Sequence, residues 1–290
     1  MRVALCAPWM TFVIVAFFSA LLSASCDASQ RVPARVEVLS DGRLAVNGVP
    51  TFFLGFAPGP PMDLKTPEGG NGWQELAEGG ISVVRQGAAP RTDWNDEEES
   101  RFEQYLDNAI KHGVRVWPML RELVVVSDTQ SRERLTSFVN RFKDHPGILL
   151  WKSADEPQWG QIPAEPLTEA YRLMRRLDPN HPVWICHAPR GTLDELRPYN
   201  DACDVLSTDI YPVSEPPGKH SLEANKGLSM VGDYTKRMVE LSEGRKFVFM
   251  VLQVCWSGVM SRPEKTNRLM FPTFRQERYM MYQAIICGAR

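Results

Sequence analysis

The sequence predicts an α/β protein that folds as a (β/α)8 TIM barrel and lacks the eighth strand of that barrel. Short apolar runs alternate with helical segments along most of the chain, a pattern typical of βαβ units and a parallel sheet. Seven strands, each followed by a helix or a helical turn, can be counted from Phe52 onward. The chain stops at Arg290, where an eighth strand would begin, so we interpret the sequence as a truncated barrel.

An open doubly wound sheet is the main alternative fold for such an alternation. That fold usually shows a glycine-rich phosphate-binding turn after its first strand. Here Phe56 is followed by Ala-Pro-Gly-Pro-Pro, which is too rich in proline to form that turn. The barrel is therefore the favoured fold.

The N-terminal segment has the form of a secretory signal peptide. Arg2 is followed by an almost uninterrupted apolar stretch from Trp9 to Leu22 and then by small residues. The stretch is shorter than a bilayer span usually requires, so a retained membrane anchor is the weaker interpretation. We predict a signal peptide at residues 1–25, a polar linker at 26–35 and an exported mature protein.

The bulk composition gives no reason to expect nucleic acid or an anionic membrane surface as a partner, because the formal net charge is only -2.

Cys26 offers a point for a lipid anchor after cleavage, but Ser23 stands where lipoprotein signals usually carry an aliphatic residue. The later cysteines show no C-x-x-C spacing and no matching histidine cluster, so no metal site or other cofactor is predicted. Three of these four are expected to be buried thiols; the four are Cys186, Cys203, Cys255 and Cys287.

A strand–turn–strand segment opens the mature domain, which we place at residues 36–290. The apolar runs Val36–Leu39 and Leu44–Val46 flank Asp41-Gly42, and Asn47-Gly48 follows them. Asp-Gly and Asn-Gly between apolar runs are strong hairpin signals. We expect this hairpin to cap the amino-terminal end of the barrel.

The predicted elements of the barrel follow in regular order. The strands are Phe52–Phe56, Ile81–Arg85, Val114–Met119, the run that ends at Asp155, Val183–Cys186, Val205–Ser207 and Phe247–Leu252. The helical segments are Trp73–Glu78, Asn95–Lys111, Ser131–Lys143, Glu165–Leu177, a short one near Leu193, Asp233–Ser242 and Gln276–Cys287. The helix that begins at Asn95 shows the clearest end signals, with acids in its first turn and Gly113 just past its last turn.

The fourth strand ends in the most informative residues of the chain. The apolar run Ile148–Trp151 leads to Asp155-Glu156-Pro157, and Trp159 follows. Burying a carboxylate costs free energy, so two in a row at a strand end must either be exposed to water or have a functional role. On these residues alone an exposed turn is an equally good interpretation.

Other strands of the predicted barrel end in polar or aromatic residues too. Active sites in such barrels lie at the carboxyl ends of the strands, and these ends carry Arg85, His187, Asp209, Tyr211, Gln253 and Trp256. Carboxylates, an arginine, a tyrosine and Trp faces are what a sugar-binding site needs. Taken singly, each has an ordinary structural explanation, such as an ion pair for Arg85 or a turn for Tyr211. Their common position at one rim of the barrel favours a functional site over these separate structural explanations.

These residues carry a resemblance to the large clan of retaining glycoside hydrolases on (β/α)8 barrels, which includes cellulase-like and β-galactosidase-like enzymes. The most specific matching segment is Trp151–Pro157, in which Glu156 matches the acid/base glutamate after the fourth strand. Arg85 matches the arginine after the second strand, and Asp209–Pro212 resembles the tyrosine region of the sixth. The hairpin segment Asp41–Pro50 is also similar to one that precedes the barrel in many of these proteins.

Two positions depart from the clan pattern. Asp155 stands where the clan usually has the asparagine that binds the sugar 2-hydroxyl. Gln253 stands where the resemblance implies the nucleophilic glutamate, and an amide cannot form the glycosyl ester. Glu264 and Asp209 are the candidate substitutes, and we expect Asp209 to lie at the inverting separation from Glu156, about 6.5–9.5 Å.

Three functional hypotheses follow. The first is an exported glycoside hydrolase-like protein acting on a poly- or oligosaccharide. In it Glu156 is the general acid/base, Asp209 the second carboxylate and Asp155 a neighbour that tunes the proton on Glu156. Its substrate-binding residues are Arg85, Asp155, His187, Tyr211, Gln253, Trp256 and Trp159. The second is a non-catalytic carbohydrate-binding barrel without a nucleophile. The third, a metal-assisted hydrolase using Asp155, Glu156, His187 and Asp209, has no close ligand spacing to support it.

Overall fold

The computed structural model of the chain describes residues 32–88, 92–259 and 268–290. The predicted signal peptide, Cys26 and Glu264 lie outside these residues. No helix in the described ranges is long and apolar enough to span a bilayer.

A small antiparallel sheet precedes the barrel, as predicted for the hairpin. It contains β1 (Val36–Val38), β2 (Leu44–Val46) and β3 (Val49–Pro50) in that order. Residues of β1 and β2 pack in one buried cluster with Val83, Val205 and Phe247, each of which begins a barrel strand. The small sheet therefore closes the amino-terminal end of the barrel.

Within the described ranges, the main sheet has seven parallel strands in sequential order, as a barrel requires. They are β4 (Gly55–Phe56), β5 (Val83–Gly87), β6 (Arg115–Met119), β7 (Trp151–Asp155), β8 (Val183–His187), β9 (Val205–Ile210) and β10 (Phe247–Leu252). The pairing of β6 with β7 is parallel, which confirms the predicted βαβ topology. The first strand is shorter than predicted, because Phe52 is exposed and unpaired with the sheet.

The edges of this sheet, among the described residues, are β4 and β10. The backbone amide of Arg290 donates a hydrogen bond to the carbonyl of Val248 in β10, at 2.9 Å. The eighth strand and the truncation remain predictions.

The helices lie between the strands much as the sequence indicates. They are α1 (Gly72–Glu78), α2 (Asp96–Lys111), α3 (Thr129–Phe142), α4 (Ala164–Leu177), α5 (Leu193–Leu196), α6 (Met230–Ser242) and α7 (Phe274–Ile286). Short 3-10 turns occupy Arg121–Val124 and Arg197–Ala202, and a two-stranded ribbon, β11 (Ser257–Val259) with β12 (Arg268–Met270), precedes α7. Side chains cap several helix starts, as when the Asn95 side chain accepts from the amides of Glu97 and Glu98.

Aromatic side chains fill the lower interior of the barrel. The Trp184 ring lies 5.3 Å from Trp117 and 4.7 Å from Phe249, centroid to centroid. A separate and larger cluster between the sheet and the helices contains Trp151, which is fully buried. The interior aromatics form a floor, and the space above them opens toward the carboxyl ends of the strands.

Candidate active site

A cavity of about 360 Å³ lies inside the barrel, above the aromatic floor. Its lining includes the following residues predicted for the site: Arg85, Asp155, Asp209, Tyr211 and Gln253. They come from β5, β7 and β9 and from the residues that follow β9 and β10. The structure therefore brings together five of the nine residues named from the sequence around one cavity.

Glu156 lies beside this cavity in an unusual backbone conformation. It follows the last residue of β7 and has a φ of 48°, in the left-handed region that disfavours residues with a Cβ. Its amide donates to the Cys186 carbonyl on β8 at 2.7 Å, which holds the turn in place. This turn directs the Glu156 side chain toward β9.

The Glu156 carboxyl is in hydrogen-bonding contact with the carboxyl of Asp209. Burial, followed by the negative charge and the hydrogen bond of Asp209, raises the pKa of Glu156 from 4.5 to about 8. The pKa of Asp209 is also raised, chiefly by burial, while a hydrogen bond from the Tyr211 hydroxyl acts in the opposite direction. Both shifts favour a proton held by the pair at a pH where two separate carboxyl groups would have lost theirs.

The interaction bears on the separation expected from the sequence. An inverting site needs a carboxyl separation of about 6.5–9.5 Å, and hydrogen bonding between Glu156 and Asp209 favours a shorter one. The inverting arrangement stays a prediction. The two groups act as one acid pair.

Asp155 is held by a lysine that the sequence analysis did not select. The ammonium of Lys152 lies 2.5 Å from Asp155 Oδ1 and 4.4 Å from the centre of the Trp184 ring. In a regular strand residues three apart point to opposite faces. Here β7 has one extra residue between Lys152 and Asp155 relative to β8, so this bulge lets both side chains face the cavity.

Gln253 lines the cavity and also joins two loops of the barrel rim. Its side chain is buried, and its Oε1 accepts from the Val213 amide at 2.9 Å. Its Nε2 donates to the carbonyls of Val213 and Cys255 at 2.7 and 3.0 Å. With both amide hydrogens and one lone pair of Oε1 used, this amide fastens the loop after β10 to the loop after β9.

His187 does not face the cavity. It alternates with the inward-facing Cys186 along β8, and its ring packs edge-on against Tyr199 on the helix side, at 5.9 Å. The imidazole is fully buried, and burial followed by the charge of Lys152 lowers its pKa to about 4. The predicted substrate-binding role is therefore not supported by its position, because the strand extends one residue further than expected.

Arg85 and the two exposed tryptophans remain available to a ligand. The Arg85 guanidinium lines the barrel cavity and a neighbouring surface cavity, and no ion pair of this side chain occurs within the described ranges. Trp159 and Trp256 are 57% and 66% exposed. Arg190 stacks over the Trp159 ring at 5.5 Å, and neither tryptophan borders the barrel cavity.

The remaining cysteines and acids do not form a metal cluster in the part of the chain that the structure describes. Cys186 and Cys203 are buried thiols, Cys287 is half-buried and Cys255 is exposed, all unpaired. Sequence reasoning missed Lys152 and also Glu277, a half-buried acid of α7 that lines the cavity. The one available signal for Lys152 was a charged residue inside an otherwise apolar strand.

Comparison with known proteins gives matches in structure alone. No family model and no curated protein matches the sequence. A β-D-glucuronidase from Dictyoglomus thermophilum superposes with a TM-score of 0.56 at 17% identity, covering 88% of this chain and 44% of that one. A β-glucuronidase from Bacteroides uniformis gives 0.52 at 14% identity, covering 88% and 31%.

A third solved structure, of a smaller protein, is matched over most of its length. The family 5 mannosidase from Rhizomucor miehei, as its E301A mutant, gives a TM-score of 0.54 at 14% identity, covering 87% of this chain and 81% of that one. This chain therefore spans less than half of each glucuronidase but most of the mannosidase. The chain is thus similar in fold, a TIM-type parallel sheet with surrounding helices, to these solved glycoside hydrolases.

Proposed function

We propose that this protein is a glycoside hydrolase that cleaves O-glycosidic bonds in a poly- or oligosaccharide, with Glu156 as general acid/base. The observation that carries the proposal is the proton-sharing contact of Glu156 with Asp209 beside the barrel cavity. A carboxyl group that keeps its proton up to about pH 8 can act as a general acid at neutral pH.

The chemistry of the pair follows from its charge. Glu156 donates its proton to the glycosidic oxygen as the bond to the anomeric carbon breaks, and the leaving sugar departs as an alcohol. Two carboxylates then stand in contact and repel, so the pair has a strong tendency to take a proton back. Water that adds to the anomeric carbon supplies that proton, with Glu156 acting as the base. Throughout, the Tyr211 hydroxyl keeps a hydrogen bond on Asp209.

A non-catalytic carbohydrate-binding barrel is the second candidate. The observation that favours it is the Gln253 side chain, which occupies the family nucleophile position and is committed to backbone partners. In that case Arg85 and the exposed Trp159 and Trp256 would bind the sugar, and the acid pair would only accept hydroxyl hydrogen bonds.

Matched substrates and variants separate the two candidates. Glu156→Gln should lower turnover of an unactivated glycoside by about a hundredfold or more, because general acid catalysis is lost. The loss should be smaller for aryl glycosides with good leaving groups, which need little protonation. Glu97→Gln, an exposed glutamate of α2 remote from the cavity, is the control and should retain full turnover.

Asp209→Asn tests the partner of the acid. It should lower turnover, because loss of the Asp209 charge lowers the pKa of Glu156. Oligosaccharide affinity should stay nearly intact, since the amide keeps the size of the side chain. Equal losses on activated and unactivated substrates in Glu156→Gln would contradict the acid role. An unmodified protein that binds oligosaccharides without hydrolysing them would favour the binding barrel.

Export is part of the proposal and rests on the N-terminal sequence. Expression of the full chain with its first 25 residues should release a shortened protein outside the cytoplasm, with a new N-terminus near Cys26. N-terminal sequencing and a lipid-labelling experiment distinguish simple cleavage from a lipid anchor. Cytoplasmic retention of the uncut chain would contradict the export.

A further inference from the structure

Lys152 is the most deeply buried cation of the described structure near the site, at 1% exposure. An ammonium group loses several kcal/mol of hydration on burial unless it is paired and hydrogen-bonded. Lys152 meets this need with Asp155 at 2.5 Å and with the face of Trp184 at 4.4 Å. A leucine or methionine would fill the same space without that cost, so the charge itself calls for an explanation.

The surroundings of Lys152 supply one. Three carboxyl groups lie together at this end of the barrel, on Asp155, Glu156 and Asp209, and each affects the protonation of its neighbours. Asp155 and Asp209 favour the protonated form of Glu156, and Lys152 opposes them. Without a cation, three acids in contact would bind more than one proton near neutral pH.

We propose that Lys152 is a positioning residue for the acid pair, which it serves by neutralising Asp155 and fixing its orientation. The ion pair removes one negative charge from the cluster and leaves a single proton to be shared by Glu156 and Asp209. It also holds Asp155 Oδ1, while the side chain of Asp155 remains 38% exposed. The second carboxylate oxygen is therefore free to accept a hydrogen bond from a sugar hydroxyl. Only the catalytic consequence of this inference rests on the proposed function.

The pair explains how the chain accommodates an aspartate where the resembling clan has asparagine. An uncompensated Asp155 would add a charge next to Glu156, and the bulge in β7 places Lys152 where it cancels that charge. The other ionisable groups that line the cavity are Arg85, Cys186, Tyr211, Cys255, Glu277 and Arg290. Among the described residues, Asp155 alone lies within ion-pair distance of the Lys152 ammonium.

The test compares Lys152→Met, Asp155→Asn and the double variant in the full chain. The readout is the pH midpoint at which the protonated carboxyl band of Glu156 disappears in infrared difference spectra, with the band assigned by its absence in Glu156→Gln. Lys152→Met should raise the midpoint by about one pH unit, and Asp155→Asn should lower it. The double variant should return close to the unmodified protein, because it removes both charges together.

A purely structural lysine would give a different pattern. If Lys152→Met and the unmodified protein share one midpoint, or if the double variant keeps the shift of Lys152→Met, the proposal is overturned. Should Lys152→Met fail to fold, the comparison of Asp155→Asn with the double variant still decides, since a double variant that keeps the lowered midpoint of Asp155→Asn would also overturn the proposal.

An activity measurement separates this inference from the proposed function. With an aryl glycoside, the alkaline limb of the kcat profile should move with the infrared midpoint in each variant. Midpoints that shift as expected in a protein without glycosidase activity would refute the proposed hydrolase and leave the charge-balancing role of Lys152 established.

Discussion

The proton on Glu156 should be visible in the stability of the fold. Glu156→Gln replaces a carboxyl that is protonated at neutral pH by a neutral amide of nearly the same shape. The pKa of Glu156 is about 8 in the folded chain and 4.5 without its surroundings. Between these values the folded protein holds a proton that the unfolded chain has released. Stability relative to the variant is therefore highest below pH 4.5 and falls as pH rises to about 8.

The magnitude follows from the same shift. The whole shift would correspond to about 5 kcal/mol of unfolding free energy at 1.36 kcal/mol per unit. Water around the half-exposed carboxyl and the sharing of the proton with Asp209 reduce this, and we expect about 1–2 kcal/mol. Urea unfolding of both proteins at several values from pH 5 to pH 9 measures the difference directly.

Groups remote from the acid pair cancel in this comparison, so the difference curve reports Glu156 together with Asp209, whose titration is coupled to it. A difference in unfolding free energy that is flat from pH 5 to pH 8 would refute the buried, protonated state of Glu156. A difference that grows in favour of the unmodified protein as pH rises would show that the shift has the opposite sign.

Two further changes test the walls of the cavity. Gln253→Leu should lower the unfolding free energy by about 1–3 kcal/mol, because the backbone groups of Val213 and Cys255 lose their hydrogen-bond partners. Unchanged denaturation midpoints would show that these hydrogen bonds do not hold the two loops together. Gly59→Ala should destabilise the chain by about 1–3 kcal/mol, since an added Cβ would lie 2.2 Å from the Tyr105 hydroxyl oxygen, and a thermal midpoint equal to that of the unmodified protein would contradict this contact.

The sequence was sufficient for the order of the strands but not for the direction of every side chain. Runs such as Val114–Met119 form strands because their apolar residues have both a barrel interior and a helix layer to pack against. A strand buried on both faces gives no alternation to show which residues point inward. His187 was therefore assigned to the cavity although it lies on the helix side.

The acid pair shows the same limit in predicting side-chain direction from sequence, here at the candidate active site. Glu156 and Asp209 were selected because each stands near the end of a predicted strand, and they do meet. Their separation depended on the left-handed turn at Glu156, and the role of Lys152 depended on the bulge in β7. Neither irregularity has a local sequence signature such as glycine or an Asn-Gly pair.

The left-handed backbone at position 156 also has an evolutionary consequence. A residue with a Cβ costs about 1 kcal/mol there relative to glycine, and a half-buried acid adds a further cost at alkaline pH. Selection for stability alone would fill this position with glycine or asparagine, which accept a φ of 48° with less strain. Variants selected only for heat resistance should therefore lose this glutamate early, and its retention under selection for growth on a glycoside would mark the position as one kept at the expense of stability.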